Sequence, residues 1–169
     1  MPKDDLAARV AALEDTVAGL VAHRAAVPVE PPEGDYYALL GLRERAGDEG
    51  GVVFAGSAPL PSGERYEWQW GRPTGHLFGD DAIDWADLAP ALAALAHPVR
   101  LRLLHRVLGG ARSTAELADD EELGTTGQLY HHLRQLVAAG WLHSSSRGRY
   151  AVPGERVVPL LVILMGAQR

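Results

Sequence analysis

The sequence predicts an α+β fold that is mainly α-helical with a small amount of β structure. Three observations predict it. Apolar residues recur at three- and four-residue spacing through most of the second half of the chain, the period of helices that bury one face. Alternation with a period of two is confined to short stretches, at 52–56, 65–70 and on either side of a turn at 144–148. Glycine and proline punctuate the helical pattern, at Gly50 and Gly51, Pro98, Gly109 and Gly110, and Gly140.

Residues 4–24 read as one amphipathic helix. Leu6, Val10, Leu13, Val17 and Leu20 are spaced four, three, four, three, with Val at the a positions and Leu at the d positions of a heptad. β-Branched residues at a with Leu at d favour a parallel two-stranded coiled coil. Arg9 at g and Glu14 at the following e position would then pair between chains. The alternative is an amphipathic helix lying on its own domain. Three prolines, Pro28, Pro31 and Pro32, make 27–34 an extended linker. A helix is expected over 35–46, with Tyr36, Leu39, Leu40 and Leu42 on its apolar side.

A β-hairpin follows, with strands at 52–56 and 65–70 and turn chemistry between Ala58 and Gly63. Tyr66, Trp68 and Trp70 point to one face of it. They are expected to fill a small interdomain core, since a short hairpin needs such side chains. A ligand cage or a docking face for a partner is the alternative. Residues 72–84 read as irregular.

From residue 85 the pattern turns helical. Asp84 suits the N-cap of a helix over 85–96, with Leu88, Leu92 and Leu95 as its buried stripe. Pro98 suits the first turn of the next helix, to Leu108, with Leu101, Leu104 and Val107 inside. A short helix over 113–118, an acidic turn over 119–124 and a helix from about 126 to 139 come next, the last with Leu129, Leu133 and Leu136 buried. Two strands around the 144–148 turn and a largely apolar helix over 155–168 complete the chain. Helix, helix, short helix, turn, helix, β-hairpin, helix is the layout of a winged helix-turn-helix. The expected organisation is thus a coiled-coil helix at 1–26, a linker at 27–34, a helix-plus-hairpin region at 35–84 and a winged helix-turn-helix domain at 85–169.

Two blocks of this half resemble the ArsR-type family of dimeric transcriptional regulators. One runs from Leu92 through His97, Pro98 and Arg100 to Leu104. The other runs from Leu129 through His131, His132, Leu133 and Gly140 to Leu142. The wing turn from Ser146 to Tyr150 also fits. The resemblance covers about residues 85–168 and does not extend to the coil or the first hairpin. It implies a homodimeric, cytoplasmic and nucleoid-associated bacterial repressor. Its partners would be double-stranded DNA and a second copy of itself.

A recognition helix at about 125–139 would enter the major groove and a wing at 144–149 would meet the minor groove or the backbone. With Leu129, Leu133 and Leu136 buried, the opposite face carries Gly127, His131 and Arg134, flanked by Gln128 and Gln135. Thr125 and Thr126 sit at the helix N-terminus, where free N–H groups attract phosphate. Gln128 can bond adenine through both amide atoms, and Arg134 can reach guanine or phosphate. Arg147 and Arg149 suit a minor-groove or phosphate contact. His131 is expected to face DNA, His132 to pack inward and His97 to make a hydrogen bond at a helix junction. Dimerisation is expected through the coil seam and through Val157, Leu161 and Leu164 of the last helix, whose apolar surface needs a cover.

Composition narrows the function classes. The net charge is −6, but residues 1–96 carry −9, residues 97–150 carry +2 and residues 151–169 carry +1. A phosphate-binding surface therefore belongs after residue 96. With no cysteine, thiolate metal sites and cysteine nucleophiles are excluded. The helix over 155–168 has no His or Asp and one Glu, so the metal sensing of the ArsR family does not carry over and no cofactor is expected. An effector or protein partner would act through the N-terminal half. No nucleophile–base pair, carboxylate dyad or phosphate-binding glycine loop points to an enzyme. The opening residues lack the pattern of a signal peptide, and the longest apolar run, 157–165, is about half a membrane span. The acidic turn motivates the rival reading, a winged-helix module that binds protein and not DNA.

Overall fold

The computed structural model describes residues 9, 12, 13, 36–145 and 148–168. The chain divides into two compact units, Met1–Tyr37 and Ala38–Arg169. In the first, Arg9, Ala12 and Leu13 are helical and exposed. The other seam residues, Leu6, Val10, Val17 and Leu20, lie outside the described residues, as do the linker at 27–34 and Arg147.

Beyond them come α1 (Tyr37–Ala46), the hairpin β1 (Gly51–Pro59) and β2 (Arg65–Pro73), and the single-turn α2 (Gly75–Phe78). A 3-10 turn, Trp85–Leu88, leads into α3 (Ala89–Leu95), followed by α4 (Pro98–Leu108) and α5 (Thr114–Ala118). A further 3-10 turn, Glu121–Leu123, precedes α6 (Thr126–Ala138), the wing strands β3 (His143–Ser144) and β4 (Tyr150–Ala151), and α7 (Gly154–Gly166). Residues from α3 to α7 form a winged helix, and the fold is α+β.

Its core is a continuous apolar cluster. Leu103, Leu104 and Val107 of α4 meet Leu117 of α5, Leu129, Leu133 and Leu136 of α6, and Val157 and Leu160 of α7. Trp141 and Leu142 close it at the end of α6, where the Trp141 indole N–H donates to the Ala91 carbonyl at 2.8 Å. The four- and three-residue spacing of the α6 leucines buries one stripe and leaves the opposite side free. In α4 the buried set is Leu103, Leu104 and Val107, with Leu101 only partly covered. That helix packs against α3, α5, α6 and β4, so more than one of its sides is covered. Leu123, read as part of a plain turn, is buried by the 3-10 turn that carries it.

Caps fix the helix starts. His97 Nδ1 accepts from the Val99 N–H at 3.2 Å, the junction role expected of it. Ser113 and Glu116 form a capping box on α5. The wing pairs His143 with Ala151 and Ser144 with Tyr150, and a third short edge joins it where Ser113 bridges to Arg149.

Strands β1 and β2 are antiparallel from Gly51 opposite Pro73 to Pro59 opposite Arg65, longer than the sequence suggested. Gly63 takes φ +88° in the turn, a conformation that costs glycine nothing. The hairpin lies on α7. A Cβ built on Gly56 would meet Val158 at 2.6 Å, and Gly154 of α7 abuts the Tyr66 ring. Leu60 and Tyr66 join the core cluster, and Glu64 at the turn pairs with Arg112. The helix-plus-hairpin region and the winged helix therefore share packing.

Four expectations need correction. Of the three hairpin aromatics only Tyr66 enters the core; Trp68 and Trp70 remain 41% and 48% exposed. Trp70 is supported by the edge of Phe54 and by the Arg72 guanidinium 4.7 Å from its ring centroid. In α3 only Leu95 of the expected stripe is buried, while Leu88 and Leu92 are exposed. The 3-10 turn at its start has about three residues per turn and shifts Leu88 out of phase. On α1, Leu39 and Leu40 are exposed, and Leu42 is half-buried beside Gly51. Residues 72–84 are not wholly irregular: they include α2, whose Leu77 carbonyl accepts from the Trp85 indole at 3.2 Å.

Candidate nucleic-acid interface

The segment from α5 to α6 is built to present α6. Gly124, at φ +82°, turns the chain into it. That conformation favours glycine, and a Cβ there would lie 2.5 Å from Gln128 Oε1, so a larger residue would also push the Gln128 side chain out of its place. Thr125 then caps α6. Its Oγ1 accepts from the Gln128 N–H at 3.4 Å, while Gln128 Oε1 accepts from the Thr125 N–H at 2.9 Å. This reciprocal box satisfies helix-start donors that would otherwise be free.

The box changes the meaning of Gln128. Its amide oxygen is engaged by Thr125, so bidentate recognition of adenine would require the cap to open. Gln135, the other expected flank, is engaged too. Arg100 of α4 donates to its Oε1 at 2.5 Å and to the Ala94 and Ala93 carbonyls at 2.6 and 2.8 Å. His132 lies on the same flank and packs inward, its ring centroid 4.6 Å from that of His97. Burial pushes the His132 imidazole below the usual histidine range, and the charges of His97, His131 and Arg100 add to this. This disfavours the imidazolium form that would pair with a phosphate.

The remaining surface of α6 is open. Thr126, Gly127, Tyr130, His131 and Arg134 are all exposed. At about 100° per residue, Gly127, His131 and Arg134 lie roughly opposite the buried leucines, and Tyr130 borders them. Nothing lies within 4 Å of the Cβ position of Gly127. Arg134 Nε donates to the Tyr130 carbonyl at 3.3 Å, which leaves the outer N–H groups of the guanidinium for a ligand. Tyr130 was absent from the expected set. Its position beside Gly127 and Arg134 on a helical wheel was the signal that could have found it.

Arg149 is exposed on the wing edge, next to Ser113. Below it, Glu116 is held at a pKa of about 2, first by the Ser113 and Arg112 backbone N–H groups and the Ser113 hydroxyl, with Arg149 adding a smaller share. Two carboxylates of the acidic turn are paired within the chain. Asp120 lies 3.7 Å from Arg102 and 3.9 Å from Arg106, and Glu122 also pairs with Arg102. Arg102 and Arg106 are four residues apart on α4, which puts both on the side that meets the turn. Among the described residues no group of three or more His, Cys, Asp or Glu could hold a metal ion, and no helix is long and apolar enough to cross a membrane.

Residues 95–144, less than a third of the chain, match a family model described as a helix-turn-helix domain. The match runs from the end of α3 through α6 to the first wing strand, so the chain contains a helix-turn-helix domain with α6 as its second, presented helix. No curated protein matches the chain.

Proposed function

We propose that this protein is a sequence-specific DNA-binding transcriptional regulator of the ArsR type, a repressor that acts as a homodimer. The observation that carries the reading is the free outer face of α6 on a helix-turn-helix scaffold. In this reading His131 and Arg134 face base edges, Thr125 caps the helix start through Gln128, and Thr126 beside it offers the helix N-terminus to a phosphate. Gln128 acts chiefly by ordering that terminus, and Arg147 and Arg149 hold the backbone or minor groove from the wing. The repressor reading rests on the ArsR resemblance.

Surface chemistry supports the homodimer. Ile163, Leu164 and Met165 are exposed at the end of α7, with Leu161 half-buried beside them, whereas Val157 faces the chain's own core. The Leu6–Leu20 seam would add a parallel coil. The division into coil, linker, helix-plus-hairpin and winged helix is kept as a working scheme, with any effector or partner acting through the first three and no catalytic role. Pairing of Asp120 and Glu122 with Arg102 and Arg106 reduces the like-charge objection to DNA beside α6.

The test is selection from random double-stranded DNA followed by footprinting. The reading predicts a pseudo-palindrome with half-sites about 34 Å apart or a multiple of that. Recovery of no motif, with negligible binding at low salt, would replace it with the protein-interaction module. Sedimentation of a Leu161→Glu, Met165→Glu double variant tests the dimer. Monomer or aggregate is expected, because the interface would bury unpaired charge. A soluble and fully dimeric variant contradicts an interface on α7.

A further inference from the structure

We infer that Tyr130 is a specificity-determining residue of this protein and that its ring reads the methyl group of a thymine in the major groove. The inference rests on the DNA-binding reading above and deepens it. On α6 the flank bearing Gln128, His132 and Gln135 is committed to the protein itself, through the cap and through contacts with His97 and Arg100. What remains free is the strip from Gly127 to Arg134, and Tyr130 is the large apolar side chain in the N-terminal half of that strip, 43% exposed. Its hydroxyl has no hydrogen-bond partner among the described residues.

Two neighbours favour close approach by this ring. Gly127, one turn earlier, leaves the space beside it empty, with no atom within 4 Å of its Cβ position. Arg134, one turn later, is drawn back onto the Tyr130 carbonyl, which keeps its guanidinium on the same strip of the helix, free to meet a phosphate or guanine edge. A helix in the major groove meets donors, acceptors and one apolar group, the thymine C5-methyl. An aromatic ring between an open glycine and an arginine matches that group, since covering both removes apolar surface from water.

The experiment is a cycle between protein and DNA. Each thymine of the selected site is replaced in turn by deoxyuridine, which lacks the methyl group. Affinity of the full-length protein is measured by fluorescence anisotropy for the wild type, Tyr130→Ala, Tyr130→Phe and Gln128→Ala. For the wild type, one thymine per half-site should lose about fourfold in affinity on demethylation, the effect of one buried methyl. Tyr130→Ala should bind the two DNAs equally, Tyr130→Phe should keep the discrimination, and Gln128→Ala should keep it as well. Specific binding in which no thymine shows this loss overturns the inference and leaves DNA binding standing. So does a loss that survives in Tyr130→Ala, or one that vanishes in Tyr130→Phe. Absence of specific binding by the wild type overturns the inference together with the reading on which it rests. Tyr130 is exposed, so these substitutions leave the buried leucine stripe intact.

Discussion

The helices from α4 to α7 and the stretch from α1 to α3 both carry repeated apolar side chains, yet they dispose of them differently. In the former, Leu103, Leu117, Leu133, Leu136 and Leu160 are completely buried. In the latter, Leu40, Val52, Trp70, Phe78, Trp85 and Leu92 each keep nearly half or more of their surface exposed. The α6 leucines follow a helical stripe, whereas around Leu88 the 3-10 turn breaks the helical phase. Periodicity reports which face of an element is apolar, whereas burial needs a facing surface. The winged helix supplies its own facing surfaces because α4 lies among α3, α5, α6 and β4. For the hairpin, α7 supplies one beside Tyr66 and Gly56, while Trp68 and Trp70 stay exposed.

Truncating one side chain in each region should give very different losses of stability. Leu133→Ala should cost about 2–5 kcal/mol of unfolding free energy, because a fully buried leucine leaves a cavity. Trp70→Ala should cost roughly 1 kcal/mol, the scale of its ring-edge and cation contacts. Urea unfolding measures both, and equal losses would mean that the hairpin face is covered in solution.

A smaller effect tests the seating of the hairpin on α7. Gly56→Ala should destabilise by about 1–3 kcal/mol, since its methyl would stand 2.6 Å from a stiff, buried Val158. Val158→Ala in the same chain should relieve part of that penalty, and the two substitutions should couple in a double-mutant cycle. Strict additivity would show that the hairpin does not rest on that helix.

The smallest expected effect concerns the base of the wing. Glu116 is lowered from 4.5 to about 2, so its stabilising contribution is fully present above pH 4.5 and is lost as pH falls through about 2. Urea midpoints taken across that window should fall more steeply for the wild type than for Glu116→Gln. Identical pH slopes would mean that the capping box does not hold the carboxylate.

Much of the winged helix was legible in the sequence because its signals are local. His97, Ser113 and Thr125 announce helix starts, Gly140 an end, and the α6 leucines a buried stripe. What escaped depends on contacts distant in sequence. The exposure of Trp68 and Trp70 depends on where α7 lies. The engagement of Gln135 depends on Arg100, 35 residues away. The acidic turn read as an obstacle to DNA because its partners, Arg102 and Arg106, sit on another helix. Gln128 is the exception, since Thr125 and Gln128 are a capping pair visible in the sequence itself. Reading Gln128 as a base contact overlooked that competing local bond. Tyr130 was passed over because it lies at the border of the outer face and not at its centre.

If the free face of α6 and the wing bind DNA, affinity must fall with salt, because neutralising phosphates releases their counterions. Anisotropy titrations of the full-length protein on a selected site, repeated at several salt concentrations, should give log K falling linearly with log salt. The slope should be about −0.9 for each phosphate neutralised. Arg149→Ala should flatten it by about one unit while weakening all sequences alike. Arg134→Ala should weaken the selected site most if it reads guanine, and all sites alike if it holds phosphate. Negligible binding at low salt, or a slope unchanged by Arg149→Ala together with an affinity unchanged by Arg134→Ala, would contradict DNA binding by α6 and the wing.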